Sequence, residues 1–246
     1  RGAKWRILLA LKLVPNCKYT HSPGILQLYD ETPPLPMLIF RGNCNIFALK
    51  EAIITMKRLA LFASGEGTNA EAIARYFSTN PDVEVALMIC NRKAAGVFQR
   101  LEPFNIESHY FPKAEWAENE AKNVIELLRG KQIDLIVLAG FLAFIPASLI
   151  HEYQGRIINI HPSLLPKYGG SGMWGMNVHQ AVIDAHETES GITIHHVSEQ
   201  LDSGNIIYQA TCEVRPDDTP QSLAERVHGL EYQHYPLVIE NMLKNL

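Results

Sequence analysis

Three polar side chains have the types and the spacing that an acyl-transfer site requires. Asn159 and His161 stand in the run Asn-Ile-His-Pro-Ser-Leu-Leu-Pro, and Asp202 follows in Leu-Asp-Ser-Gly. An imidazole accepts or donates a proton near neutral pH, and a carboxylate beside it stabilises its charged form and fixes its tautomer. An amide can donate a hydrogen bond to a developing oxyanion. We therefore predict Asn159, His161 and Asp202 as catalytic residues.

Each of these residues also has a structural interpretation. Asn159 could pin a turn, and Asp202 could cap the loop before Gly204. A lone histidine is more often a hydrogen-bonded structural residue than a catalyst. At least one of the adjacent His195 and His196 is interpreted in that way, because the two side chains alternate across a predicted strand. The residues alone do not decide between the two interpretations.

A glycine-rich turn after the first predicted strand is a second candidate site. The run Gly65-Glu66-Gly67-Thr68-Asn69 precedes a predicted helix, where glycine allows close backbone approach and the helix N-terminus favours an anion. Similar glycine spacing occurs in dinucleotide sites, but those need an acidic residue about 20 residues further on. This chain has Asn91-Arg92-Lys93 there instead. The turn is predicted to bind a phosphate, with a tight turn that binds nothing as the alternative.

The elements that would carry these residues alternate between strands and helices. Apolar runs predict strands at 59–63, 83–90, 109–111, 133–139 and 155–160, and helical spacing predicts helices at 70–77, 97–101, 114–129, 146–153 and 176–185. Strands at 191–197 and 205–211 are too close for a crossover helix, which predicts an antiparallel pair. A last helix begins at Thr219-Pro220, and Pro236 is expected to break or kink it.

This order predicts an α/β fold. Specifically, we expect a Rossmann-like, doubly wound, mostly parallel sheet with an antiparallel hairpin in the C-terminal half. A polar side chain at the carboxyl end of a strand faces the crevice where such sheets bind ligands. Asn159 and His161, at the exit of the strand at 155–160, are therefore expected to face that crevice.

Composition and charge restrict the function classes. The chain has 246 residues, 47% of them hydrophobic, and no apolar run approaches the roughly 20 residues needed to span a bilayer. Residues 56–246 carry 15 Lys/Arg against 23 Asp/Glu, which gives a nucleic-acid surface little electrostatic support. The 4 cysteines form no C-x-x-C pair and no histidine pair has zinc-ligand spacing, so no metal is predicted. We expect a cytoplasmic enzyme, monomeric or homodimeric, with small-molecule substrates and no nucleic-acid or membrane partner.

Residues 1–55 differ from the rest of the chain. They carry 7 Lys/Arg against 3 Asp/Glu, contain five prolines and show no sustained helix or strand period. Residues 1–14 imitate a signal peptide, but Lys12 interrupts the apolar run and no small-residue cleavage site follows. Met56 directly precedes the first clear strand. We therefore predict that residues 1–55 are an N-terminal extension outside the fold and that residues 56–246 form one catalytic domain.

Together the motifs resemble the phosphoribosylglycinamide formyltransferases, the folate-dependent glycinamide ribonucleotide transformylases of the formyltransferase superfamily. The resemblance covers residues 56–246 and rests on Ser-Gly-Glu-Gly-Thr-Asn at 64–69, Ala-Gly-Phe at 139–141, the block at 159–168 and Leu-Asp-Ser-Gly at 201–204. The Asn-x-His-Pro block is shared across the superfamily, whereas the glycine-rich turn and Glu231 point to a ribonucleotide acceptor. The family implies direct transfer of formyl from 10-formyltetrahydrofolate to the amine of glycinamide ribonucleotide, through a tetrahedral intermediate, in purine biosynthesis.

The resemblance also implies a role for each site residue. Asn159 and His161 would stabilise the oxyanion, His161 would donate the proton, and Asp202 would help to relay protons to the departing folate nitrogen. The ribonucleotide would contact Gly67, Thr68, Asn69, His228, Gly229, Leu230 and Glu231. The formylfolate would contact Arg100, Leu142, Ala143, Phe144, Ile145, Asn159, Ser198, Glu199, Gln200, Leu201 and Asp202.

Two features depart from the family pattern, and several rival functions remain open. The loop at 169–177 is longer than in many members of the family and is expected to serve as a lid. The family commonly has an arginine where this chain has Ala143, so a side-chain contact to the folate is expected to be missing. A methionyl-tRNA formyltransferase is expected to carry a large C-terminal tRNA-binding domain, and a formyltetrahydrofolate deformylase an N-terminal regulatory domain that residues 1–55 do not resemble. The rival functions also include another amine formyltransferase and a non-catalytic nucleotide-binding sensor. The intact Asn159, His161 and Asp202 argue against the sensor.

Overall fold

Residues 56–246 are described by the computed structural model, in which they form a single seven-stranded sheet. The strands are β1 (Lys57–Ala63), β2 (Val83–Cys90), β3 (Glu107–Tyr110), β4 (Leu135–Leu138), β5 (Ile157–His161), β6 (Glu189–His196) and β7 (Ile206–Glu213). Their order across the sheet is β3-β2-β1-β4-β5-β6-β7. The prediction that residues 1–55 are an extension lies outside the described residues.

Helices connect most of these strands. They are α1 (Thr68–Phe77), α2 (Val97–Leu101), α3 (Lys113–Ala117), α4 (Lys122–Gly130), α5 (Ala147–Glu152), α6 (Met176–Asp184) and α7 (Pro220–Lys244), with a 3-10 turn at Glu102–Phe104. Within residues 56–246, no helix combines the length and the apolar character that crossing a membrane requires.

The sheet is parallel in its first five strands and antiparallel at its C-terminal edge. β1 to β5 pair in parallel, whereas β6 runs antiparallel to both β5 and β7. The predicted doubly wound, mostly parallel α/β fold with a C-terminal antiparallel pair is therefore confirmed. The strand order reverses between β1 and β4, and ligands of such sheets bind outside the carboxyl ends of the strands at this point.

Two apolar cores lie on the two faces of the sheet. Leu59 and Leu61 of β1 pack with residues of α1, α2, α6 and α7 on one face, and Ala60 and Phe62 pack with α3, α4 and α5 on the other. This alternation follows from the period of two along a strand. Because both faces are covered, β4 is apolar at every position, as expected of a central parallel strand.

The prediction of one continuous helix over residues 114–129 is wrong. The structure has α3 and α4 instead, separated by Glu120 (φ 48°) and Ala121 (φ 57°) in the left-handed region. The buried carboxylate of Glu115 accepts hydrogen bonds from the backbone N–H of Asn123 at 2.8 Å and from its side-chain amide at 2.7 Å. Glu115 therefore satisfies a free N–H group at the start of α4, which stabilises the new helix start.

The last helix begins as predicted but does not end at Pro236. Thr219 and Ser222 form a reciprocal capping box at its start. α7 then continues through Pro236 to Lys244, so the expected break is absent. The hydroxyl of the adjacent Tyr235 donates to the carbonyl of Leu138 at 3.0 Å, and both Tyr235 and Pro236 are buried. Packing on the sheet thus offsets the hydrogen bond that the proline removes.

Candidate active site

The turn after β1 leads directly into the N-terminus of α1. Gly67 has a φ of 76°, which glycine adopts without strain, and a Cβ at this position would overlap Val97. Gly67 is also the N-cap of α1, and no side chain of the described residues caps this helix. Its first N–H groups, at Thr68 and Asn69, are therefore available to an anion. Thr68 itself is exposed.

A second segment predicted to bind the ribonucleotide meets this turn. Asn69 Nδ2 donates to Glu231 Oε2 at 2.8 Å, although the two residues are 162 positions apart. Glu231 lies on α7 and is only 5% exposed, and its burial raises the pKa of its carboxyl group, against the opposing effect of the Asn69 hydrogen bond. His228, Gly229 and Leu230 lie in the same turn of α7. The structure thus brings these two distant segments together at the N-terminus of α1.

Asn159 and His161 lie on the same face of β5, at its carboxyl end. His161 is 4% exposed, and its Nε2 donates to the carbonyl of Tyr168 at 2.7 Å. Because Nε2 carries the hydrogen in this bond, Nδ1 is the atom of the neutral ring that can accept a proton. The loop after β5 therefore fixes the tautomer of His161.

That loop is itself tied to β6. The hydroxyl of Thr193 donates to the carbonyl of Ser163 at 2.7 Å and accepts from the N–H of Leu165 at 2.9 Å. The hydroxyl of Ser163 donates to the carbonyl of Lys167 at 2.7 Å. Thr193 and Ser163 are buried, so these bonds are shielded from water. They hold the Tyr168 carbonyl where it meets His161.

Asp202 lies on the loop between β6 and β7 and approaches two histidines. Its Oδ2 lies 3.6 Å from His161 Nδ1, and its Oδ1 lies 3.7 Å from His195 Nε2. The N–H of Gly170 donates to Oδ2 at 2.8 Å and fixes the carboxylate. Asp202 has a φ of 50°, which aspartate tolerates better than most residues. The structure therefore brings Asn159, His161 and Asp202 to one place.

His195 belongs to this cluster, although the sequence analysis did not single it out. It lies opposite Asn159 in the β5–β6 pair, and its Nε2 is 3.1 Å from Asn159 Nδ2. Its Nδ1 donates to the carbonyl of His196 at 2.9 Å, so Nε2 accepts one amide hydrogen of Asn159. Burial lowers the pKa of His195, which keeps the ring neutral. The alternation of side chains along the strand predicted that one of His195 and His196 points inward. The pairing of β6 with β5 shows that His195 is the residue opposite Asn159.

His179 on α6 is a further buried histidine close to the site. Burial, and then the charges of His228 and His161, lowers its pKa to about 4, so the ring is neutral at pH 7. Its Nδ1 has no hydrogen-bond partner among residues 56–246. Although several histidines lie near one another, the described part of the chain has no group of three or more His, Cys, Asp or Glu side chains placed to hold a metal ion.

We expect the neutral state of His179 to make the protein less stable in mild acid. Its pKa of about 4 in the folded protein lies below the unfolded value of 6.5, so the unfolded chain binds the proton first. The contribution of neutral His179 to the stability of the folded protein is complete above pH 6.5 and is lost as the pH falls towards 4. Between pH 7.5 and pH 5 the loss is about 2 kcal/mol in the free energy of unfolding. Urea unfolding at the two pH values measures this loss. The free energy of unfolding of the unmodified protein should fall by about 2 kcal/mol more than that of His179→Gln, and equal decreases in the two proteins would contradict the prediction.

The segment after β4 lines an open cleft with a volume of about 620 Å³. Leu142, Ala143 and Phe144 contribute to its wall, whereas Ile145 is buried in the core. Leu142 and Phe144 are 43% and 55% exposed, which leaves apolar surface for a ligand. The N–H of Leu142 is fixed by the hydroxyl of Ser64 at 2.7 Å. The cleft is lined by the segments after β2 and β4, by α3 and by the start of α5, and Asn159, His161 and Asp202 are not among its lining residues.

Arg100 is not among the residues that line the cleft. Its Nε donates to the carbonyl of Glu66 at 2.7 Å, and its Nη1 donates to the carboxylate of Glu71 at 2.8 Å. Arg100 thus lies beside the glycine-rich turn.

The loop after β6 contains the remaining residues predicted to contact the folate. The hydroxyl of Ser198 donates to the carbonyl of Gln200 at 2.9 Å, Glu199 lies 3.0 Å from His151, and Leu201 is exposed. Within residues 56–246, none of these side chains forms a hydrogen bond or ion pair with Asn159, His161 or His195. Asp202 is the residue of this loop that reaches the two histidines.

Comparison with known proteins identifies the class. The formyl transferase family model matches residues 57–239, and the chain therefore belongs to this family. A phosphoribosylglycinamide formyltransferase from Bacillus subtilis (strain 168) is 41% identical over 192 residues, which is 76% of this chain and 95% of that protein. The trifunctional purine biosynthetic protein adenosine-3 of Drosophila melanogaster is 36% identical over 185 residues, 73% of this chain and 13% of that protein.

A solved structure agrees with these relatives. The crystal structure of phosphoribosylglycinamide formyltransferase from Bacillus halodurans has a TM-score of 0.70 and 36% identity, and covers 76% of this chain and 95% of that chain. The resemblance inferred from the motifs, the α/β fold and the assignment to the formyl-transferring enzymes are confirmed.

Proposed function

We propose that this protein transfers the formyl group of 10-formyltetrahydrofolate to the amine of glycinamide ribonucleotide in de novo purine biosynthesis. The names of the Bacillus relatives support the acceptor, and the name of the Drosophila relative supports the pathway. The observation that carries the proposal is the meeting of Asn159, His161 and Asp202 at the end of β5. The contact between Asn69 and Glu231 supports a separate site for the acceptor.

In the proposed reaction the acceptor amine attacks the formyl carbon, and the formyl oxygen becomes an oxyanion. Asn159 stabilises it, because its amide carries two hydrogens and only one of them is directed at His195. The second hydrogen is available to the oxyanion. His195 acts as a positioning residue that sets the orientation of this amide. The attack is direct, so no covalent enzyme intermediate is required.

One proton must leave the amine and one must reach N10 of the folate. Nδ1 of His161 accepts the first, because Nε2 is bonded to the carbonyl of Tyr168. Asp202, 3.6 Å from Nδ1, stabilises the imidazolium that forms. The imidazolium then protonates N10 as the intermediate collapses, which releases tetrahydrofolate and the formylated amine. His161 returns to its neutral state.

The substrates are assigned to two regions within the proposed catalytic domain, residues 56–246. The acceptor phosphate binds to the N-terminus of α1, and its ribose and glycinamide bind to α7, through Gly67, Thr68, Asn69, His228, Gly229, Leu230 and Glu231. The formylfolate binds along the cleft at Leu142–Phe144 and along the loop at 198–202. The contact between Arg100 and the folate stays a prediction, and in the structure its side chain is bonded to Glu66 and Glu71.

Replacing Thr68 with aspartate is expected to raise the KM for glycinamide ribonucleotide by about tenfold or more, with little change in kcat, because the carboxylate repels the phosphate. An acidic residue in the first turn of a helix interacts favourably with the helix dipole, so the variant should fold. Steady-state kinetics with each substrate varied in turn measures the effect, and Thr68→Asn is the neutral control. An unchanged acceptor KM would remove the turn from the phosphate site.

One assay distinguishes the proposed function from its rivals. The whole chain is incubated with 10-formyltetrahydrofolate, with and without glycinamide ribonucleotide, and tetrahydrofolate and formylated product are quantified. The proposal requires that the two appear in equal amounts and only when the acceptor is present. Release of folate without acceptor would identify a deformylase, and no release in either case would identify a binding protein.

A further inference from the structure

Two cations line the cleft beside Leu142. Arg92 follows the end of β2, and Lys113 is the first residue of α3. Both side chains are exposed, and within residues 56–246 neither forms an ion pair. The chain therefore presents two positive charges to the cleft that no acidic side chain of the described part neutralises.

The rest of the cleft wall is suited to a flat, apolar ligand with a charged end. Leu142 and Phe144 provide exposed apolar surface, and Glu120 is the acidic residue of the lining. The lining thus has an excess of positive charge. Ala143 contributes only a methyl group, so any charge contact made in this cleft must come from elsewhere on its wall.

We propose that Arg92 and Lys113 bind the glutamate carboxylates of the folate co-substrate. The inference rests on the proposed function, because it assumes that the folate occupies this cleft. A folate combines aromatic rings with a terminal glutamate that carries two carboxylates, which matches apolar walls with two cations. Arginine and lysine both form charge-assisted hydrogen bonds to carboxylates.

Equilibrium binding of two ligands tests the assignment. Tetrahydropteroate is tetrahydrofolate without its glutamate, so it lacks the carboxylates that the two cations would contact. Arg92→Gln and Lys113→Gln are each expected to weaken the binding of tetrahydrofolate by roughly fivefold to tenfold, and to leave the binding of tetrahydropteroate unchanged. Glu120→Gln should instead tighten tetrahydrofolate binding, by about twofold. Calorimetric titration of the full chain gives the dissociation constants.

Lys93→Gln is the matched control, because Lys93 adjoins Arg92 but does not line the cleft. It should leave both dissociation constants unchanged. Unchanged tetrahydropteroate binding also shows that the cleft variants are folded. The inference is overturned if Arg92→Gln and Lys113→Gln weaken the binding of both ligands equally, or if they weaken the binding of neither. It is also overturned if the unmodified chain does not bind tetrahydrofolate.

The transfer assay separates this inference from the proposed function. If the chain formylates glycinamide ribonucleotide but the donor KM is the same in Arg92→Gln and Lys113→Gln, the function stands and the carboxylate site is rejected. If the chain binds tetrahydrofolate with the expected dependence on charge but formylates nothing, the site stands and the function is rejected.

Discussion

Replacing His161 with alanine is expected to lower kcat by about a hundredfold or more, the scale of a lost general acid–base group. The variant lacks the only atom that we propose takes the proton of the attacking amine and returns it to N10. Measurement at saturating concentrations of both substrates isolates this effect from binding. A near-normal kcat would remove His161 from the mechanism.

The alanine variant also loses structure, because the carbonyl of Tyr168 loses its closest donor, Nε2 of a ring that is 4% exposed. His161→Gln is the matched control, since its amide can donate to this carbonyl but cannot relay a proton. We expect His161→Gln to be as inactive as His161→Ala and more resistant to urea. If the glutamine variant recovered most of the activity, the role of His161 would be to hold the loop after β5.

Most of the fold follows from local patterns in the sequence. Apolar runs and helical spacing place the strands and helices, because the core faces of β1 and α1 repeat with the periods of those elements. The boundary between α3 and α4 could not be found in this way. It depends on Glu115, whose carboxylate reaches Asn123 eight positions later, and on two non-glycine residues in the left-handed region.

Pro236, His195 and Arg100 illustrate a second limit of prediction from local sequence patterns, which is that long-range contacts cannot be found in them. A proline is expected to interrupt a helix, but the bond from Tyr235 to the carbonyl of Leu138 joins positions 97 residues apart. The roles of His195 and Arg100 also depend on distant partners, Asn159 in one case and the turn after β1 in the other. Sequence patterns identify the side chains that can do chemistry, and the tertiary contacts decide which of them meet.

Replacing Asp202 with asparagine is expected to lower kcat by about a hundredfold or more, because the imidazolium of His161 loses the charge that stabilises it. The exchange is nearly isosteric, and the amide oxygen can still accept the N–H of Gly170 that now lies 2.8 Å from Oδ2. Stability should therefore change little, which urea unfolding checks. Near-normal turnover would show that Asp202 serves only to hold the loop.

The double variant His161→Gln with Asp202→Asn tests whether the two residues act together. If the carboxylate works only through the imidazole, removing it from a chain that already lacks the imidazole costs nothing further, and the double variant is as slow as His161→Gln alone. Independent roles would instead multiply the two losses, to about ten-thousandfold. Asp202 also lies 3.7 Å from His195, so an independent role would pass through His195 to the amide of Asn159. A multiplied loss would therefore assign Asp202 to the oxyanion side of the site and not to proton transfer.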